Sequence, residues 1–113
     1  MRTVIAIVLL LAAILSGAPA QANIVGNGTY SCGEWTADHR AKDADALSLT
    51  DDAWLAGYLS AFTNWVDKDG ITIPDAGARN GWVSNYCRNH PLDRIDEAAD
   101  QLILELQRRS SRR

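Results

Sequence analysis

Apolar residues recur every three or four positions along much of the chain after residue 30, which is the spacing of one face of an α-helix. The widest stripe predicts a core helix and comprises Trp54, Leu55, Tyr58, Leu59, Phe62 and Val66. Thr50 is expected to cap this helix, with Asp51 and Asp52 in its first turn, where the helix dipole favours carboxylates. Gly57 costs the helix about 1 kcal/mol relative to alanine, so we expect another helix or a disulfide to pack closely against it.

The same period predicts three more helices, and residues with strong capping preferences mark where they begin. A first helix starts at Ser31, which forms a capping box with Glu34, and extends to about Asp43. A third helix follows the cap Asp75 and ends near Asn89. Its inward residues are expected to be Ala78, Trp82, Val83, Tyr86 and Cys87. The fourth helix has a narrow apolar seam formed by Leu92, Ile95, Ala99, Leu102 and Leu106.

Only a short extended piece, residues 71–73, interrupts the helical pattern, and Pro74 keeps it outside a helix. The sequence therefore predicts an all-α fold, a small four-helix orthogonal bundle. The only two cysteines, Cys32 and Cys87, fall on the first and third predicted helices and are expected to form one disulfide. On the chain-entropy model a bridge across such a loop stabilises the fold by roughly 4 kcal/mol. No further cysteine or histidine stands at zinc-ligand spacing.

The first twenty residues have the order of a secretory signal peptide. Arg2 is followed by an apolar run from Val4 to Leu15 and by the small residues Ala18-Pro19-Ala20. The run is too short for an ordinary membrane span, so we expect cleavage after Ala20, export to the periplasm and no integral membrane segment afterwards. The remaining chain is interpreted as an N-terminal arm (21–30), a helical domain (31–107) and a basic disordered tail (108–113).

The charge distribution narrows the class of partner. Loss of Arg2 with the signal leaves ten basic residues against 14 acidic ones, a net charge of −4. Four of those ten are the arginines of the tail, so the body carries −8. An acidic body argues against nucleic-acid binding and leaves protein as the expected partner. The tail is expected to be a solvated end.

Candidate catalytic chemistry is sparse. His39, His90 and the scattered aspartates lie in no nucleophile–base pattern, and no Gly-rich phosphate loop is present. The stretch Asp67-Lys68-Asp69-Gly70 resembles part of a calcium loop, but Trp65 and Ala76 stand where its first and last carboxylates belong. We therefore predict a protein that is not an enzyme and uses neither a metal nor a cofactor.

Four tryptophans are many for a chain of this length. An apolar face around Trp54, Phe62 and Trp82 is the candidate partner-binding surface, because exposed tryptophans rimmed by acids make plausible binding anchors. The alternative is that all the tryptophans pack in the core.

With these residues located, the order of several short motifs resembles the HdeA/HdeB family of small periplasmic acid-stress proteins. The motifs are Cys32 opening a helix, Gly57-Tyr58-Leu59-Ser60-Ala61, Asp69-Gly70-Ile71-Thr72-Ile73-Pro74, Tyr86-Cys87 and a final amphipathic helix. The resemblance covers roughly Ser31 to Gln107. It implies a helical, disulfide-linked protein that forms a homodimer at neutral pH and loosens in acid to bind unfolded proteins.

A second periplasmic family is similar in plan: the Rap/Tai-type immunity proteins, which neutralise secreted cell-wall amidases. Their Gly-Tyr helix, and their proline followed by an Ala-rich amphipathic helix, have counterparts here, whereas their frequent C-terminal cysteine is absent. Two functions therefore stay open. One is a conditional chaperone for many unfolded clients, and the other is an inhibitor of one exported partner.

Composition permits the chaperone mechanism. With every carboxylate protonated and both histidines charged, the chain without Arg2 would carry +12 from its side chains. Self-repulsion, together with the loss of carboxylate caps at Asp51, Asp75 and Asp93, would loosen the packing between about pH 2 and 4. We expect acid to expose the apolar face around Trp54, Phe62 and Trp82.

Overall fold

Four α-helices account for most of the computed structural model, which describes residues 23–40, 45–67 and 70–113. They are α1 (Cys32–Asp38), α2 (Asp45–Trp65), α3 (Ala76–Asn89) and α4 (Ile95–Ser111). A short 3₁₀ helix, Gly26–Thr29, precedes them. Within the described ranges the only β-type pairing is an isolated bridge between Ser31 and Arg94. The predicted all-α fold is confirmed, while the predicted signal peptide lies outside the described residues.

One buried cluster joins the four helices. Its members are Cys32, Trp35, Leu55, Leu59, Val83, Cys87, Ile95, Ala98, Ala99, Leu102 and Ile103. Cys32 and Cys87 are bonded, with their Cα atoms 4.7 Å apart, so the predicted disulfide is confirmed. Trp35 is fully buried, and its Nε1–H donates to Ser84 Oγ at 2.9 Å. A covalent bond and a part-buried hydrogen bond therefore connect α1 to α3.

Two of the predicted helix starts are confirmed by their hydrogen bonds. Ser31 Oγ accepts from the Glu34 amide at 3.2 Å, and the Glu34 carboxylate accepts from the Ser31 amide at 2.9 Å. Asp75 Oδ1 accepts from the Ala78 amide at 2.9 Å, and α3 ends at Asn89 as expected. Each of these caps involves residues only three positions apart, which is why the sequence shows them.

The predicted start of α2 is wrong. The helix begins at Asp45, so Thr50 is an interior residue whose hydroxyl donates to the Leu47 carbonyl at 2.7 Å. The preceding Ala-Leu-Ser-Leu stretch has good helix propensity overall, so the helix extends back past Thr50. Asp51 consequently does not lie in the first turn, and its side chain is fully buried. The first helix, α1, ends at Asp38 rather than near Asp43.

Two residues assigned to apolar stripes lie outside the helices. Leu92 precedes α4 and is 94% exposed, and Val66 follows α2 and is 61% exposed. The helical period does not apply beyond a helix end, so neither side chain is directed into the core. Asp93 is not a cap either, because α4 begins at Ile95 and the carboxylate of Glu97 accepts from the Arg94 amide at 2.7 Å.

The close approach predicted at Gly57 does not occur. A Cβ atom at this position would meet no atom within 4 Å, because Gly57 lies on the exposed face of α2. Its conformational cost to the helix is therefore not offset by packing.

The basic tail and the N-terminal arm both contain helical residues. The basic tail continues α4 as far as Ser111. The Glu105 carboxylate forms ion pairs with Arg108 at 2.6 Å and with Arg109 at 2.7 Å. Spacings of three and four residues place these charges side by side on one helix face. In the N-terminal arm, residues 26–29 form the 3₁₀ helix and contact α2.

Candidate functional site

The three aromatic residues of the predicted binding face lie at the edge of the core and are only partly exposed. Trp54 and Phe62 lie on α2 and Trp82 lies on α3, and each is partly buried against the central cluster. Trp82 stacks on the ring of Tyr86, with centroids 5.8 Å apart. Trp54 stacks on Tyr58 at 4.9 Å. Their role in binding a partner stays a prediction.

Residues 25–29, here called the N-terminal clasp, cover Trp54. The indole Nε1–H of Trp54 donates to the Val25 carbonyl at 2.8 Å. Gly28 is buried so tightly against the same ring that a Cβ atom there would overlap it. Only glycine fits this contact without displacement. The clasp therefore closes one end of the predicted aromatic face.

A buried carboxylate joins the clasp to α2. Asn27 Nδ2 donates to Asp51 Oδ1 at 2.8 Å and to Thr50 Oγ1 at 3.2 Å. Asp51 is fully buried, and its Oδ2 atom has no hydrogen-bond partner among the described residues. Burial raises the pKa of Asp51, and nearby Asp38 adds to that rise, whereas Asn27 and His39 oppose it.

His39, just after α1, lies next to the carboxylates of Asp51 and Asp52, here called the carboxylate cluster. Its Nδ1 lies 2.8 Å from the Trp35 carbonyl oxygen, and its Nε2 lies 2.9 Å from Asp52 Oδ1. With Asp52 ionised both neighbours are acceptors, so both hydrogen bonds form only when each ring nitrogen carries a proton. The ring also stacks on Trp35 at 4.2 Å, and Nδ1 lies 3.9 Å from Asp51 Oδ2. His39 thus lies beside two carboxylates, those of Asp51 and Asp52.

Two tyrosine–aspartate pairs make similar junctions elsewhere. The Tyr58 hydroxyl on α2 donates to Asp100 on α4 at 2.7 Å. The Tyr86 hydroxyl on α3 donates to Asp93, just before α4, at 2.6 Å. Burial raises the pKa of Tyr58, and the hydrogen bond to Asp93 raises the pKa of Tyr86 to about 12. Both phenols therefore remain donors at neutral pH and below.

A separate apolar surface lies at the end of α2. Trp65 is 86% exposed, and Val66 beside it is also exposed. The sequence placed Val66 in the core stripe and left the location of Trp65 open. Large apolar side chains presented together to solvent are a common feature of binding surfaces.

The carboxylate cluster was missed because each of its acids has a simple local explanation. A signal was nevertheless present: Asp51, Leu55 and Leu59 are four residues apart and lie on one helix face. An aspartate on that face needs a buried polar partner. Asn27, 24 residues earlier in the chain, is that partner, and no local pattern identifies it.

The polar side chains of these junctions form hydrogen bonds between different parts of the chain. In residues 23–40, 45–67 and 70–113, no three His, Cys, Asp or Glu side chains are grouped to hold a metal ion. None of the helices in those ranges has the length and apolar character needed to cross a bilayer. Comparison of this chain with family models, curated proteins and solved structures finds no match.

Proposed function

We propose that this protein is an exported, HdeA-like chaperone of the periplasm, activated by acid to bind unfolded proteins, with neither a catalytic role nor a cofactor. The observation that carries the proposal is the chemistry of its contacts between elements. Four of the side-chain contacts end on a carboxylate: Asn27–Asp51, His39–Asp52, Tyr58–Asp100 and Tyr86–Asp93.

Acid weakens contacts of this kind. Hydrogen bonds to an ionised carboxylate are roughly twice as strong as neutral ones, and protonation removes that advantage. Glu105 acts in the same direction, because its hydrogen bond to Arg109 lowers its pKa. Its pairing therefore stabilises α4 above the ordinary carboxyl pKa and is lost as the pH falls. Full protonation also leaves the ten Lys and Arg that remain after loss of Arg2, together with two His, without opposing charge, so the chain repels itself.

Asp51 acts in the opposite direction. Its pKa is raised in the fold, so the folded state binds a proton that the unfolded state has already released. Stability from this group falls as the pH rises from the ordinary carboxyl value and is recovered in acid. Protonated Asp51 still accepts from Asn27 through Oδ1. We therefore assign acid loosening to the other junctions and not to Asp51.

The clasp provides a local route to exposed apolar surface. It is held by a few hydrogen bonds and by the contact of Gly28 with Trp54, whereas α1 and α3 are joined by the disulfide. Regions with few buried contacts open at lower free energy than the core. Acid acts on the Tyr58–Asp100 junction, whose opening would uncover Tyr58 and the Trp54 ring stacked on it, and local opening of the clasp would add to that exposure while Cys32–Cys87 limits further expansion.

The direct test measures suppression of client aggregation by the oxidised protein at pH 2–3 and at pH 7, with intrinsic tryptophan fluorescence recorded in parallel. We expect protection only in acid, together with a fluorescence shift. The Asp93→Asn/Asp100→Asn variant imitates protonation at two junctions, so it should protect at a higher pH than the wild type. Glu105→Gln removes a carboxylate whose ion pairs lie within α4, and it should not shift the pH of protection comparably.

Loss of structure in acid without any protection would rule out the chaperone function. The same holds if protection is equal at the two pH values, since a contact surface that is always available needs no acid-sensitive junction.

A second candidate function is supported by Trp65 and Val66. These side chains are exposed at the end of α2 in the folded protein, without any loosening. A fixed apolar surface suits an inhibitor or immunity protein that binds one secreted or periplasmic partner, such as a cell-wall amidase toxin. This function predicts stoichiometric binding of the partner at pH 7. Trp65→Ser should weaken that binding, whereas Leu92→Ser, at a similarly exposed position elsewhere, should not.

A further inference from the structure

A groove with basic walls runs between α1 and α3 beside the disulfide. Its narrow part encloses about 120 Å³ and is lined by Thr36, His39, Arg40, Ser84 and Arg88. It continues past Cys87 to Pro91 as a wider part of about 380 Å³. Thr36, Arg40 and Arg88 line both parts, so the groove is continuous.

The two arginines of this groove have no carboxylate partner among the described residues. Arg88 donates to the neutral Asn85 side chain at 3.0 Å, and Arg40 makes no ion pair within the part of the chain that the structure describes. Elsewhere, Arg94 pairs with Asp96, and Arg108 and Arg109 both pair with Glu105. In a chain with more acidic than basic residues, two unneutralised guanidinium groups on one groove are a local reversal of charge.

Hydroxyl groups complete the donor set. Ser84 Oγ already accepts the indole N–H of Trp35, so its own proton is available for a ligand. Thr36 supplies a second hydroxyl on the opposite wall, on α1. His39 also lines the narrow part, and its Nε2 lies 2.9 Å from Asp52 Oδ1, so the positive charge of the groove comes from Arg40 and Arg88.

We infer that this groove binds a carboxylate on an acidic, extended segment of a partner protein, with Arg40 and Arg88 holding the carboxylate between them. Guanidinium groups form strong, geometrically matched hydrogen bonds to carboxylates. The groove continues beyond the two arginines, which suits a short segment of chain better than a single small ion. The site acts at neutral pH, where the carboxylates of the partner are ionised, so it is independent of the acid-dependent activity proposed above.

The test uses the oxidised full chain at pH 7 and a fluorescently labelled hexaglutamate peptide as the probe. Replacing both groove arginines, Arg40→Gln/Arg88→Gln, should weaken binding roughly tenfold or more, because hydrogen bonds to charged groups are the strongest of their kind. The matched control is Arg108→Gln/Arg109→Gln, which changes the net charge equally at a different place. All four side chains are exposed, so near-ultraviolet circular dichroism should show both variants folded.

The site is supported if binding is lost in the groove variant and retained in the control. Equal loss in the two variants would show nonspecific attraction and overturn the proposal, as would unchanged binding in the groove variant. Inorganic phosphate is the remaining arm. If phosphate binds the wild type as tightly as the peptide does, and only through the groove arginines, the groove is a small-anion site and the proposed protein segment is wrong.

Discussion

The disulfide-linked pair α1–α3 and the N-terminal clasp pack against the same core, but they are held by different forces. A covalent bond and the part-buried hydrogen bond from Trp35 to Ser84 join α1 to α3. The clasp is held by the close packing of Gly28 on the Trp54 ring and by the hydrogen bonds of Asn27 and Trp54. Neither of these two links between α1 and α3 involves a carboxylate, whereas the clasp is bonded to the carboxylate of Asp51.

This difference means that the two regions should respond to different conditions. Reduction acts on the first region, because a disulfide restricts the unfolded chain whatever the pH. Proton binding acts on the second through Asp51, whose pKa is raised in the fold, so that protonation favours the folded clasp. The clasp is held by few contacts, and it should therefore open locally at lower free energy than the core unfolds.

The largest expected effect comes from removing the covalent link. Cys32→Ser/Cys87→Ser should lower the free energy of unfolding by roughly 4 kcal/mol, because the closed loop no longer restricts the unfolded state. Chemical denaturation at pH 7 measures this value, and reduction of the wild type should reproduce it. A loss below about 1 kcal/mol would mean that packing, rather than the disulfide, holds α1 to α3.

The second-largest effect is expected from a substitution that detaches the clasp from the core. Gly28→Ala introduces a methyl group into the space of the Trp54 ring, so the clasp should detach at a cost of roughly 1–3 kcal/mol. We expect tryptophan fluorescence to shift to longer wavelength at pH 7 while the helical circular dichroism signal is nearly unchanged. An unchanged fluorescence spectrum would show that the clasp does not cover Trp54 in solution.

Local signals in the sequence accounted for the disulfide, the caps at Ser31 and Asp75, and most of the inward faces of α2 and α3. The exceptions are Val66 and Ala78, which are exposed, Val66 because α2 has ended and Ala78 because it lies in the first turn of α3. Each of these signals depends on residue type and on spacing within one helix, apart from the pairing of two lone cysteines. The clasp could not be found in this way, because Gly28 and Asn27 look like ordinary loop residues until Trp54 and Asp51 are placed against them. Their partners lie more than twenty residues away in the chain.

The basic tail was a different kind of error, because its signal was local. Glu105 stands three and four residues before Arg108 and Arg109, which is the spacing of helix-stabilising ion pairs. The arginines were interpreted as a charged run in a disordered tail, so their spacing from Glu105 was not taken into account. The groove between α1 and α3 was absent from the prediction because Arg40, just after α1, and Arg88, on α3, are far apart in the chain and only the fold brings them together.

A third prediction concerns the buried acid of the clasp and its pH dependence. Asp51→Asn should raise stability at pH 7 by about 1 kcal/mol, because it removes a buried charge whose Oδ2 atom lacks a hydrogen bond. As the pH rises from the ordinary carboxyl value of 3.8, the wild type should lose stability at this site, since the pKa of Asp51 is raised in the fold. The variant should lack that loss.

Denaturation midpoints measured between pH 3 and pH 7 test the sign. Asp52→Asn is the matched control, since Asp52 is partly exposed and bonded to His39. A lower midpoint for Asp51→Asn than for the wild type at pH 7 would show that the Asp51 charge stabilises the clasp and that the assigned direction is wrong.

The smallest expected effect is at Gly57, where the same change as at Gly28 should have the opposite sign. A Cβ atom at Gly57 meets no neighbour within 4 Å, and the residue lies within α2. Gly57→Ala should therefore stabilise the protein by about 0.5–1 kcal/mol, because alanine loses less backbone freedom on entering a helix. Thermal unfolding of both alanine variants under one condition makes the comparison. Destabilisation by Gly57→Ala would mean that this face of α2 is covered in solution, as it would be if a second copy of the chain packed there.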